Sequence, residues 1–156
     1  MNRPKPVPLV VLVVLSSILI NLSNKEFKVC LSIKSDLFEE MQGIKFDIIV
    51  SNPPYIPKKD IETLHTQVKD YEPYNALEGG EDGLDFYRQI TEESIKYLKQ
   101  GGILAYEVGH DQAEDVSKIM KYHGYDKIYT KKDIQGIDRA VIGFKLWYNQ
   151  RIDIDK

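Results

Sequence analysis

Runs of β-branched and aromatic residues alternate with segments of helical periodicity from Lys25 onward, and this alternation is the feature that most constrains the fold. The run Phe46–Val50 (FDIIV) is almost continuously apolar, which is typical of a strand buried on both faces of a sheet. Strands that alternate with helices predict an α/β layered sheet with helices on both faces.

The predicted strands are Phe27–Ile33, Phe46–Val50, Ile103–Val108, Lys127–Thr130 and Ala140–Trp147, and the predicted helices are Asp85–Leu98 and Asp111–His123. Gly101-Gly102 and Gly124 are predicted to end the two helices, because glycine favours helix C-termini. The segment Lys58–Ala76 is polar and is predicted to be irregular. No helical pattern separates the last two strands, so they are predicted to form a C-terminal antiparallel hairpin at the sheet edge.

Composition describes an ordinary globular domain, with 156 residues, of which 42% are hydrophobic and 29% are charged. A net charge of -3 argues against a general nucleic-acid binder, which usually carries a basic surplus. The single cysteine, Cys30, excludes an internal disulfide and fits a cytoplasmic protein. His65, His110 and His123 are scattered, and no transition-metal site is predicted.

Residues 1–24 differ from the remainder, 25–150, which is predicted to be the main domain. The run Val7–Ile20 is uncharged, and three interpretations are open, in descending order: a buried β-strand, a membrane anchor and a signal peptide. A fourth hypothesis concerns the gene. Codons for Gly-Thr-Gly-Ser read one base late can give Val-Leu-Val-Val, which is the sequence Val11–Val14.

The strand Phe46–Val50 is followed by the loop Asn52-Pro53-Pro54-Tyr55, at the strand end where ligands of open α/β sheets bind. The Asn52 side-chain oxygen and the Pro53 carbonyl could accept two hydrogen bonds from one planar NH2 group. Tyr55 could lie flat against that group. The two prolines fix the backbone, so little entropy is lost on binding. The loop therefore suits a primary amide or an aromatic amine, although a plain proline-rich turn is an alternative.

The stretch SNPPYIP resembles the Asn-Pro-Pro-Tyr motif of amino methyltransferases that use S-adenosylmethionine. The blocks IKSDLFEEM, YEPYNALEGGEDGLDFYRQI, LKQGGILAYEVGHDQ and KDIQGIDRAVIGF resemble release-factor glutamine N5-methyltransferases of the HemK/PrmC type. The resemblance runs from about Val29 to about Leu146. It implies the C-terminal part of a Rossmann-like class I methyltransferase that methylates a glutamine side chain in peptide-chain release factors.

The resemblance also implies roles for individual residues. Asn52, Pro53, Pro54 and Tyr55 would orient the acceptor amide. Asp36, Leu37 and Phe38 would flank the adenine of S-adenosylmethionine, and Asn52 would lie beside its methionine moiety. The partner would be a release factor, with no direct nucleic-acid contact and no membrane.

The sequence departs from the family in lacking the Asp-x-Gly-x-Gly-x-Gly cofactor loop and the ribose-binding acid that follows it. We therefore expect weak cofactor binding by this chain alone, and self-association through unpaired strand edges. An adenine methyltransferase fragment and a non-catalytic remnant are the alternatives. The segment Gly79–Gly83 is predicted to be a turn and helix start, and Glu107 is either a ligand contact or a structural acid.

Overall fold

The structure is a computed structural model, and it describes residues 35–61 and 77–146. The segment 1–24, the predicted strand Phe27–Ile33 and residues 62–76 lie outside these ranges. Within them, no helix is long and apolar enough to cross a membrane.

Within the described residues, the first element is a 3-10 helix, Glu39–Met41, and strands and α-helices follow it. The strands are β1 (Phe46–Ser51), β2 (Leu98–Glu107), β3 (Tyr125–Lys132) and β4 (Asp138–Lys145), and the helices are α1 (Lys58–Ile61), α2 (Asp85–Tyr97) and α3 (Ala113–Tyr122). The four predicted strands and the two predicted helices that fall within the described residues are therefore confirmed.

The four strands form one mixed sheet in the order β1-β2-β4-β3. β1 and β2 are parallel, and the crossover between them carries α2. β4 is antiparallel to β2 on one side and to β3 on the other, so the predicted C-terminal antiparallel pair is confirmed. Since parallel strands end at the same edge, Ser51 of β1 lies beside Tyr106 of β2.

Helices α2 and α3 bury one stripe each against the sheet. The buried positions are Tyr87, Ile90, Thr91 and Ser94 on α2 and Ala113, Val116 and Met120 on α3. These spacings of three and four residues place each set on one helix face. The two helices also pack against each other, so they lie on the same face of the sheet. Helices on the opposite face stay a prediction.

The prediction that Gly101 and Gly102 end the first helix was wrong, because both lie inside β2. α2 ends at Tyr97 since Leu98 adopts an extended backbone, becomes buried and pairs with Phe46. Phe46 pairs with Leu98 and Ile48 pairs with Ile103, so the register shifts and residues 99–102 form a bulge in β2. Gly101 supplies the positive φ of 72° that this bulge uses.

The prediction of an irregular segment from Lys58 was wrong for its first four residues, which form α1. Pro57 precedes this helix, and its fixed φ favours a helix start. Ile61 is buried at the end of the turn, which gives the short helix an apolar anchor. Burial of one isoleucine thus outweighs the polar composition of the neighbouring residues.

Candidate functional site

The loop Asn52–Tyr55 leaves the sheet directly after β1, at the edge predicted for ligand binding. Ser51 is buried, Asn52 is exposed and Pro53 is buried. Tyr55 is half-buried and packs against the hydrophobic core. The structure therefore brings together the four residues predicted to handle the acceptor, with the Asn52 side chain accessible from solvent.

Backbone hydrogen bonds fasten the chain after the prolines to residues 77–80. The Ile56 N–H donates to the Leu77 carbonyl at 3.0 Å, and the Gly79 N–H donates to the Ile56 carbonyl at 2.9 Å. A Cβ at Gly79 would lie 2.8 Å from both the Pro54 carbonyl oxygen and the Tyr55 Cα. This position therefore requires glycine, since only glycine permits such a close approach of two backbones.

A buried glutamine that the sequence analysis did not select, Gln112, connects the loop to two other segments. Its side-chain amide hydrogen-bonds to the backbone of Tyr55, Gly83 and Gly109. Gln112 lies in the block LKQGGILAYEVGHDQ, one of those that carry the family resemblance. Its place in that block was the one feature of the sequence that could have pointed to Gln112. The sequence does not show that the side chain of a polar residue before a helix is buried.

The predicted adenine-flanking residues Asp36, Leu37 and Phe38 precede the 3-10 helix. Asp36 is exposed, whereas the Phe38 side chain is fully enclosed and stacks on Tyr97 with ring centroids 4.7 Å apart. Leu37 has a φ of 49°, a left-handed conformation that is strained for a non-glycine residue. This segment can therefore offer a ligand the Asp36 carboxylate and its backbone, but not the Phe38 ring.

Glu107 ends β2 beside the loop, and its side chain is exposed. Its backbone carbonyl accepts a hydrogen bond from the Tyr87 hydroxyl at 3.0 Å. Burial raises the pKa of Tyr87 far above its ordinary value, and the nearby Tyr55 and Glu107 raise it further. Tyr87 therefore stays protonated and keeps donating to the end of β2. The two predicted roles of the Glu107 carboxylate both stay open.

The segment Gly79–Gly83 is a turn that leads into α2, as predicted. The Asp82 carboxylate accepts from the Leu84 N–H at 3.1 Å and pairs with Arg88, which also pairs with Asp85. The hydrogen bond from Arg88 lowers the pKa of Asp82. Asp82 thus stabilises the entry to α2 as a turn residue does.

Within residues 35–61 and 77–146, no group of three or more His, Cys, Asp or Glu side chains is arranged to hold a metal ion. His110 is exposed and lies 3.6 Å from an Asp111 carboxylate oxygen.

Residues 15–137 match the family model described as Eco57I restriction-modification methylase. A protein of Clostridium acetobutylicum named release factor glutamine methyltransferase is 54% identical over 112 residues, which cover 70% of this chain and 39% of the relative. A Geobacter sulfurreducens protein of the same name is 48% identical over 110 residues, with the same two coverages of 70% and 39%. The chain therefore spans about two fifths of these relatives, and the resemblance predicted from the motif blocks is confirmed.

Two solved structures are similar. The protein-(glutamine-N5) methyltransferase of Alicyclobacillus acidocaldarius is 28% identical with a TM-score of 0.45, covering 71% of this chain and 55% of that one. A methyltransferase of Pyrococcus furiosus is 23% identical with a TM-score of 0.46, covering 67% of this chain and 43% of that one.

Proposed function

The chain belongs to the methylase family whose model covers residues 15–137, and from that premise we propose that it is part of a glutamine methyltransferase. The methyl donor would be S-adenosylmethionine, and the acceptor would be a glutamine side-chain amide in a peptide-chain release factor. The observation that carries the proposal is the Asn52–Tyr55 loop, which follows β1 with an exposed asparagine and is fastened by the backbone of residues 77–80. The names of the relatives support this acceptor.

The loop would act by orientation. An amide nitrogen is a poor nucleophile because its lone pair is delocalised into the carbonyl. Hydrogen bonds from the acceptor NH2 to the Asn52 side-chain oxygen and the Pro53 carbonyl would hold the nitrogen in place, and the Tyr55 ring would pack on the amide plane. Alignment of this kind can lower a barrier by roughly 7–11 kcal/mol. The proton would leave after transfer, so no general base is required.

S-Adenosylmethionine supplies the electrophilic methyl group when bound. Asp36 and the backbone at Leu37 would hold its adenine, and Asn52 would lie beside its methionine moiety. The left-handed Leu37 supports this assignment, since such strain is concentrated at binding sites. The enclosed Phe38 would contribute through its backbone and by anchoring the segment on Tyr97. Because the sequence has no glycine-rich loop, we propose that this chain alone binds the cofactor weakly.

A second candidate is an adenine methyltransferase, which the name of the matching family model favours. An extruded adenine presents an NH2 group and a flat ring to the same loop. The charges beside the loop disfavour an adenine methyltransferase, because DNA binding relies on lysine and arginine contacts to phosphate. Lys58 lies 3.6 Å from Glu81, and Arg88 pairs with Asp82 and Asp85, so these cations already face carboxylates. We therefore place the glutamine acceptor first.

We further propose that the protein acts in the cytoplasm and that this chain self-associates. Among the described residues, β1 pairs with β2 alone, and no described strand covers its other side. Unpaired edges recruit further strands. Light scattering over a range of concentrations tests the proposal, and a concentration-independent monomer would contradict it.

The decisive experiment has two stages. Isothermal titration with S-adenosylmethionine measures whether the chain binds the methyl donor, and weak binding is expected. Transfer of labelled methyl is then compared between a release factor and an adenine-containing duplex of equal concentration. Label on the release factor supports the proposal, whereas label on the duplex alone replaces it with the second candidate. Label on neither, with no cofactor binding, identifies a non-catalytic remnant.

A further inference from the structure

One buried amide, that of Gln112, joins three loops at the edge of the sheet. Its Nε2 donates to the Tyr55 carbonyl at 2.9 Å and to the Gly83 carbonyl at 3.3 Å, and its Oε1 accepts from the Gly109 N–H at 3.1 Å. Only 7% of the residue is exposed. Both amide hydrogens and the amide oxygen are therefore used, with little competition from water.

The prolines explain why the loop needs this support. Pro53 and Pro54 have no N–H, so neither can donate a backbone hydrogen bond to a neighbouring segment. The Tyr55 carbonyl is the first group after them for which the structure shows an anchoring hydrogen bond, and Gln112 provides it. A side chain that lies 57 residues away in sequence therefore anchors the chain directly after the prolines.

Close packing around this amide leaves no room for a side chain at position 109. A Cβ at Gly109 would lie 2.7 Å from the Gln112 Oε1 and 3.3 Å from the Tyr55 Cδ2. Gly109 therefore has to lack a side chain for both Gln112 and the Tyr55 ring to occupy their positions. The amide, the ring and the glycine form one fitted unit.

We propose that Gln112 is a positioning residue for the acceptor: its amide fixes the Tyr55 backbone and thereby the Pro53 carbonyl and the Asn52 side chain. This inference deepens the proposed function and, in its catalytic part, rests on it. Gln112 does not touch the acceptor itself.

Two substitutions separate hydrogen bonding from packing. Gln112→Glu keeps the shape and the acceptor for Gly109 but places an oxygen against the Tyr55 and Gly83 carbonyls. Gln112→Met fills a similar volume and removes every hydrogen bond. Gln89→Glu, on the exposed side of α2, is the matched control for the added charge.

Amide hydrogen exchange on the full chain measures, without any ligand, how readily the hydrogen bonds that hold the loop open. The Ile56 and Gly79 amides, which bond across the loop, should exchange about tenfold faster in both Gln112 variants and not in Gln89→Glu. The Asp133 amide, bonded to Ile137 at 2.8 Å in the distant hairpin, should not change. Unchanged loop exchange in Gln112→Met would overturn the inference, as would equal acceleration at Asp133, which would indicate a general loss of stability. If Gln112→Glu does not fold, Gln112→Met decides.

Methyl transfer by the same variants, made in a protein restored with the upstream part, tests the catalytic part. We expect kcat to fall about tenfold in both variants while KM for S-adenosylmethionine stays within about twofold, since the hydrogen bonds of Gln112 run to Tyr55, Gly83 and Gly109 and not to Asp36–Phe38, which would hold the adenine. Equal kcat in variants whose loop exchange has risen would overturn the inference. Absence of transfer in the unaltered protein would refute the proposed function instead, and the exchange data would still decide whether Gln112 holds the loop.

Discussion

Replacing Gly83 by alanine tests how closely the loops around Tyr55 are packed. Gly83 has a φ of 77°, and a Cβ there would lie 2.3 Å from the Tyr55 carbonyl oxygen, 2.8 Å from the Gln112 Nε2 and 3.2 Å from Pro57 Cδ. Two of these neighbours cannot move freely: the Tyr55 carbonyl belongs to the backbone, and the Gln112 Nε2 is held by buried hydrogen bonds. The added methyl group therefore has to displace the loop or break those bonds.

Two contributions make up the expected loss of stability. The left-handed backbone costs a non-glycine residue about 1–2 kcal/mol. Forcing a methyl group into a packed site costs about 1–3 kcal/mol more. Gly83→Ala should therefore lower the free energy of unfolding by about 2–5 kcal/mol.

Gly43→Ala is the matched control, because Gly43 has a φ of 79° and nothing within 4 Å of the position of its Cβ. Gly43→Ala should lower the free energy of unfolding only by the cost of the left-handed backbone, about 1–2 kcal/mol. Urea unfolding of both variants and the unaltered chain measures the difference, about 1–3 kcal/mol, or about 0.5–1.5 M in midpoint at an m-value of about 2 kcal/mol/M. Equal losses in the two variants would refute the close packing of Gly83 against Tyr55.

The remaining predictions concern the proposed reaction and the hairpin. In a protein restored with the upstream part, Asn52→Ala should lower methyl transfer about tenfold or more, because the acceptor N–H loses its partner, and near-normal turnover would remove Asn52 from the mechanism. Tyr55→Phe should be tolerated and Tyr55→Ala should not, since packing on an amide needs the ring; equal damage in a transfer assay would assign the role to the hydroxyl. Hydrogen bonds from the Ile137 and Gln135 N–H groups lower the pKa of Asp133 below 3.8, so its stabilising effect is present above that pH and lost below it. Between about pH 5 and about pH 3, the free energy of unfolding by urea should fall less in Asp133→Asn than in the unaltered chain. An equal fall in both proteins would contradict this role of Asp133.

The main helices and strands could be predicted from the spacing of apolar residues along the sequence. The predicted bounds were wrong where burial of a side chain outweighs that spacing. Two apolar stripes at helical spacing predicted α2 and α3, and β-rich runs predicted the strands. Leu98 was assigned to the first helix by that spacing, but its side chain is buried where it pairs with Phe46, so the helix ends one residue earlier. β3 begins at Tyr125 and not at Lys127, because the Tyr125 side chain is buried and its hydroxyl hydrogen-bonds to Ser94 at 2.7 Å.

The position of the loop Asn52–Tyr55 directly after β1 could be predicted because a motif in continuous sequence encodes it, whereas its supports could not. Gln112 bonds to the loop at Tyr55, and its other hydrogen bonds run to Gly109 in its own segment and to Gly83 before α2, contacts that only the folded backbone defines. The same holds for the Tyr106 hydroxyl, fully buried and 2.8 Å from the Thr91 Oγ1. Burial raises the pKa of Tyr106 well above its ordinary value, so this hydroxyl is a neutral partner in the core.

The contacts that support the loop Asn52–Tyr55 bear on what an isolated chain of this length can do. The hydrogen bonds described for Tyr55 and Ile56 all run to residues between 77 and 112. Among the described residues before β1, 35–45, none takes part in these contacts. The glycine-rich loop and the ribose-binding acid of the family would belong to segments before β1. Within the described part of the chain, the loop Asn52–Tyr55 is therefore held by contacts that do not involve Asp36–Phe38. A chain that lacks the cofactor loop should consequently keep Asn52 and Tyr55 in place while binding S-adenosylmethionine weakly, which makes loop exchange and cofactor titration independent measurements on the same sample.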